Sequence, residues 1–163
     1  MNRKIKNIIN ITAFLVCIGL INIAGQNIEI EIRGMNAFTF ILIVAVLLQI
    51  IFFIPSFLLK TEKYYDLVGS LTYIATVSLA YFSVENKTMI DSIIYFYVMI
   101  WASRLGIYLF TRVRNVGKDV RFEKAKRHFF YFLQYWMGQA LWVSLTACAA
   151  IICLLYTSDA ADE

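Results

Sequence analysis

One histidine, one proline and three cysteines are all that this chain of 163 residues holds of the types that build most metal sites, rigid turns and disulfides. Cys17 and Cys148 lie in apolar runs, no pair has CxxC spacing, and His128 stands alone, which argues against a disulfide framework or a zinc site. Acidic residues are also scarce, 11 against 15 Lys and Arg, and the formal charge is +4. The chain has no glycine-rich phosphate loop, no G-x-S-x-G elbow, no internal repeat and no low-complexity linker. One domain is therefore expected.

What the chain does have is apolar sequence. It is 61% hydrophobic with a mean hydropathy of +0.70, whereas a soluble domain is about half apolar. The expected class is all-α integral membrane: a bundle of about five transmembrane helices. The last eleven residues, CLLYTSDAADE from Cys153 to Glu163, look like a translated sequencing adapter. They are set aside from fold reasoning. On that reading residues 1–152 are a single transmembrane domain, the amino-terminal fragment of a larger multi-helix protein, and residues 153–163 pack against nothing. Without Asp159, Asp162 and Glu163 the charge rises by three to +7.

The spans follow from the apolar runs. After the basic start Arg3, Lys4 and Lys6, residues 8–24 form the first, read as a retained helix rather than a cleaved signal peptide. The alternation in residues 28–32, IEIEI, is strand-like, but its place between two spans favours an exposed connection. Ala37 to Leu59 is the clearest span, 23 residues without a charge. Its Pro55 should kink the helix near its end. Leu67 to Val84 is a third span, rich in small and hydroxylated residues that permit close helix approach. Ser92 to Thr111 is the fourth. A basic loop follows from Arg112 to His128, and Phe129 to Ile152 is the fifth span, entered through an aromatic cluster typical of a lipid interface. With the amino terminus inside, inner segments hold twelve basic residues and outer loops two, Arg33 and Lys87. This split obeys the positive-inside rule. It predicts a cytoplasmic amino terminus, and the expected location is a bacterial inner membrane.

Arg104, the fifteenth basic residue, lies within the fourth span. A cation there costs about 3 kcal/mol on lenient insertion scales and normally has a partner and a task. Steps of three and four along the helix place Tyr97, Trp101, Tyr108 and Thr111 on its face. That stripe reads either as a lined pocket or as a packing seam from which Arg104 snorkels. The loop beyond, with Arg112, Arg114 and Arg121, reads either as a topology determinant facing anionic lipid or as a phosphate-binding surface. Gln49 and Gln139 sit inside spans and suit interhelical hydrogen bonding as well as a substrate pocket. Asp66 begins the third helix and suits a cap as well as a site.

The runs KTEKYYDLVGSLTYI at 60–74, WASRLGIYLFTRVRNVGKDVRF at 101–122 and QALWV at 139–143 resemble a bacterial membrane family of unknown function, domain of unknown function 1295. That family is related to the steroid 5-alpha-reductases. The resemblance implies a multi-helix membrane enzyme that uses NADPH to reduce a double bond conjugated to a ketone. It assigns cofactor-binding roles to Arg104, Tyr108, Arg112, Arg114 and Arg121, with most of the NADPH site expected in a second half beyond this chain. Gln49, Asp66, Tyr97, Trp101 and Gln139 become candidates for the substrate pocket. The sequence departs from the steroid enzymes at two places. Trp101 stands where they carry a ketone-polarising tyrosine, and Gln49 is followed by Ile50 rather than by a glutamate.

Two functions thus compete. In one the protein is a membrane reductase of a lipid-like or steroid-like substrate, with catalytic residues unassigned. In the other it is a non-enzymatic membrane protein that binds anionic lipid through its basic cytoplasmic loop. The expected partners are the lipid bilayer and a hydrophobic small molecule; no nucleic acid and no metal is expected.

Overall fold

The computed structural model describes residues 3–116 and 122–159. Five helices follow one another: α1 (Arg3–Ile23), α2 (Ala37–Leu58), α3 (Tyr65–Ser83), α4 (Met89–Val116) and α5 (Phe129–Asp159). A small hairpin, β1 (Glu31–Ile32) with β2 (Met35–Asn36), lies between α1 and α2. The alternation in IEIEI thus does become a strand, where a plain connection was expected. Arg33 and Gly34 both take positive φ, 55° and 75°, as the tight two-residue turn of a hairpin requires. Asn36 ties this corner together. Its Nδ2 donates to the carbonyls of Ile28 (2.7 Å) and Gly25 (3.1 Å), and its Oδ1 caps α2 by accepting from Thr39 N (3.0 Å).

Four helices are long and apolar enough to cross a membrane: α1, α2, α4 and α5. The exception is α3. Its 19 residues span about 28 Å at the helical rise, close to the hydrocarbon thickness. Ser70, Thr72 and Thr76 lower its hydropathy, and all three are buried. They face other helices, because α3 is enclosed by α2, α4 and α5. A polar stripe sealed in this way is how a helix can sit at membrane depth without being apolar all round. Small residues bring the neighbours close: a Cβ on Gly106 of α4 would stand 2.8 Å from Ser70 Cβ.

Helices α1 and α5 run parallel. Asn10 Nδ2 donates to Gln134 Oε1 (3.2 Å), and a Cβ on Gly138 would touch Phe14 at 3.4 Å. The sequence offset is the same in both pairs, which holds only for parallel neighbours. Both helices therefore start at one end of the bundle. The α2–α3 turn reaches this end too, where Lys126 Nζ pairs with the nearly buried Glu62 carboxylate at 2.7 Å.

Two boundaries differ from the sequence expectation. Helix α4 continues past Thr111 to Val116, so Arg112 and Arg114 stand on its last turns rather than in a loop. Hydropathy marks where a helix leaves lipid, not where it stops. Helix α5 continues past Ile152 to Asp159, and Leu154 and Leu155 are fully buried in the main core. The expectation that residues 153–163 pack against nothing fails for these two leucines, whose apolar side chains extend the core-facing stripe of α5. Pro55 lies in the last turn of α2, and the helix closes just beyond it on Leu59 N to Pro55 O (2.9 Å).

Candidate functional site

Helix α4 packs along α3 and barely touches α5. The divergence leaves a cleft of about 620 Å³ with α3 as its floor, α4 and α5 as its walls and Phe14 of α1 at one edge. Six of its fifteen lining residues are aromatic: Phe14, Tyr65, Tyr73, Trp101, Tyr135 and Trp142. Trp101 reaches it by turning its ring edge-on to Tyr73, with centroids 5.0 Å apart. The Tyr73 hydroxyl shares a hydrogen bond with Thr146, at 2.5 Å.

Three of the predicted residues meet in this cleft: Asp66, Trp101 and Gln139. Gln139 Nε2 donates to the Tyr65 carbonyl (3.2 Å), while its Oε1 is buried without a hydrogen bond. Gly69 makes room for it, since a Cβ there would overlap the Gln139 amide. The orphan oxygen is sealed from solvent, and a buried acceptor without a donor is costly. Asp66 is not the helix cap. Tyr64 holds that position, and the Asp66 carboxylate instead pairs with Arg112 of α4 at 3.5 Å. The pair joins the cleft to the cationic end of the bundle.

The remaining candidates lie elsewhere. Gln49 is fully buried and donates through Nε2 to Thr72 Oγ1 (2.8 Å), which in turn donates to the Val68 carbonyl (2.7 Å). It joins α2 to α3 and does not line the cleft. Arg114 faces a smaller cleft of about 230 Å³ with Lys63, Tyr64 and Phe110. Arg121 lies outside the described residues.

The predicted stripe on α4 divides. Arg104, Tyr108 and Thr111 line an open groove on the outer side of α4, together with Ser103. Tyr97 is 73% exposed and lines neither site. The expectation of a buried cation is overturned: Arg104 is exposed, with no hydrogen bond or ion pair among the described residues. The reason is helical geometry. At about 100° per residue, Trp101 and Tyr108 nearly eclipse, and Arg104 stands about 60° to one side. The stripe therefore lies on the rim between cleft and groove. Trp101 swings inward, and the other members fall outward.

Sequence reasoning passed over Lys63, Ser70 and Tyr73 as site residues. The signal for Lys63 was its place in the charged turn before α3. Ser70 and Tyr73 carried none beyond lying on the same helix face as Asp66.

No curated protein and no solved structure matches the chain. The model of one family does, over residues 52–161, and its description reads "Protein of unknown function (DUF1295)". That stretch takes in α3, α4 and all of α5, with every lining residue of the cleft but Phe14, so by the greater part of its length the chain belongs to the DUF1295 family.

Proposed function

We propose that the protein is an NADPH-dependent membrane reductase that holds a lipid-like substrate in the cleft between α3, α4 and α5. The observation that carries this reading is the continuity from the aromatic cleft, through the Asp66–Arg112 pair, to the cationic end where Arg114 faces Lys63. An apolar pocket with a few convergent polar groups is the usual form of a small-molecule site. Arginine and lysine at one end of it match the phosphates of a dinucleotide. The resemblance at residues 101–122 supplies the reaction class.

Bound NADPH would deliver a hydride to the carbon of the double bond distal to the ketone. The protein's own part is to exclude water, hold the substrate flat between aromatic rings and offer a proton to its carbonyl oxygen. Trp101 has no O–H. We assign that role to the hydroxyl of Tyr73, packed against Trp101 on the cleft wall, which would turn from Thr146 to the substrate, and we assign Gln139, which also lines the cleft, to a donor group on the substrate. Arg112, Arg114 and Lys63 are the residues fitted to the phosphates.

Titration of the protein with NADPH, followed by cofactor fluorescence, tests the reading. Binding should weaken with salt, because phosphate contacts are charge-assisted. Arg112→Ala and Arg114→Ala should each cost about 1–3 kcal/mol of affinity, the loss of a charged hydrogen bond. If no binding occurs even at low salt, the reductase reading fails and the anionic-lipid reading replaces it.

A further inference from the structure

A second cavity, about 430 Å³, opens at the basic end of the bundle where the parallel helices α1 and α5 begin. It shares no lining residue with the cleft, and its Tyr131 meets Tyr135 of the cleft with ring centroids 5.7 Å apart. Lys4 and Asn7 line it from α1; Arg127, His128, Phe130 and Tyr131 line it from the start of α5 and the 3₁₀ turn before it (Ala125–Arg127). Among the described residues no acidic side chain lines it.

Three observations bear on what it holds. Lys4 is steered over the cavity wall, its Nζ 5.3 Å from the centroid of the Phe130 ring. The Arg127 side chain is exposed and makes no hydrogen bond or ion pair among the described residues. Asn7 is 94% buried, yet its amide has no hydrogen-bond partner among the described residues and borders the cavity. An amide that borders a cavity without a protein partner can donate to a group that enters it. The first-turn N–H groups of two helices also point toward this end, adding positive potential. The aromatic run Phe129–Tyr131 marks the depth as the membrane interface, where lipid headgroups sit.

We propose that this cavity binds the phosphate of an anionic phospholipid headgroup. Lys4 and Arg127 pair with its oxygens, Asn7 donates through Nδ2, and Phe130 and Tyr131 pack against the first segment of the acyl chains. The site is independent of the reductase reading and stands whether or not NADPH binds.

The test uses the full chain in maltoside micelles, titrated with phosphatidylglycerol or phosphatidylcholine, with bound lipid counted by native mass spectrometry. Phosphatidylglycerol should bind about tenfold tighter than the zwitterionic lipid. Lys4→Gln and Arg127→Gln should each weaken it about tenfold, a lost charge-assisted contact. Both side chains are exposed, so the variants should unfold at the wild-type temperature without lipid. Lys60→Gln, an exposed cation at the end of α2, should change nothing. Soluble glycerol phosphate should compete weakly. The proposal is overturned if the two lipids bind equally, if either cavity variant binds like wild type, or if Lys60→Gln weakens binding as much. Glycerol phosphate binding as tightly as the lipid would show a soluble phosphate site instead.

Discussion

Gln49 and Gln139 are the same residue type at similar membrane depth, and the structure gives them different work. Gln49 spends its amide on Thr72 and does not line the cleft; Gln139 lines it and anchors to the Tyr65 backbone, its oxygen buried and unpaired. Thr72 can already satisfy itself on the Val68 carbonyl. Gln49→Leu, which removes an amide whose Oε1 has no partner, should therefore change stability by less than about 1 kcal/mol. Thr72→Val leaves the whole buried amide unpaired and should cost about 1–3 kcal/mol. Thermal unfolding in detergent compares them, and a larger loss in Gln49→Leu would contradict this division. Tyr73 carries the other prediction at this scale. If its hydroxyl protonates the substrate, Tyr73→Phe should lower turnover of a hydrophobic enone about a hundredfold or more, the usual worth of a general acid. NADPH affinity should stay unchanged. Loss of nicotinamide absorbance measures the first and cofactor fluorescence the second. Wild-type turnover in Tyr73→Phe would remove it from the mechanism.

Among the elements, the ones legible in sequence were those whose apolar runs announce them. Ala37–Leu58 falls within one residue of the expected span, because its apolar run is bounded by polar residues, the capping Asn36 and the charged Lys60. Helix ends that outlast the apolar run were not legible: α4 carries Arg112 and Arg114 on its last turns, and α5 outlasts Ile152. Nor was the division of the α4 stripe, since a rim position is decided by how far α4 leans from α5. The small-residue pattern of α3 did predict close packing, and the approach of Gly106 to Ser70 bears this out. Helix α5 gives a direct test. Ending the chain after Tyr156 keeps Leu154 and Leu155 and should leave the unfolding temperature unchanged. Ending it after Ile152 removes both from a closed core and should lower that temperature by on the order of 5–10 °C, given typical costs of emptying buried leucine sites. Equal temperatures would mean that the two leucines contribute nothing to the packing.

For the molecule as a whole, the bundle collects most of its basic residues at one end. Lys4 reaches Phe130, Glu62 reaches Lys126, Asp66 reaches Arg112, and Lys63 faces Arg114. The opposite end carries only Arg33 and Lys87 as basic residues. The parallel course of α1 and α5 fits an even number of returns between them, which makes α3 a crossing helix despite its polar residues. Such an assembly has a strong preference for one orientation, because basic segments are retained on the cytoplasmic side. We expect the amino terminus, Lys60 and Lys124 inside, and Glu29 and Lys87 outside. Single cysteines at positions 29, 60, 87 and 124, in a chain whose Cys17, Cys148 and Cys153 are replaced by alanine, can be probed in intact cells with an impermeant maleimide. Positions 29 and 87 should react at once, and positions 60 and 124 only after permeabilisation. Reaction at 87 but not at 29 would mean that α2 and α3 together do not complete their two crossings. Reaction at 124 in intact cells would invert the molecule. It would also place both the cationic end of the cleft and the Lys4–Arg127 cavity on the side away from cytoplasmic NADPH and anionic inner-leaflet lipid.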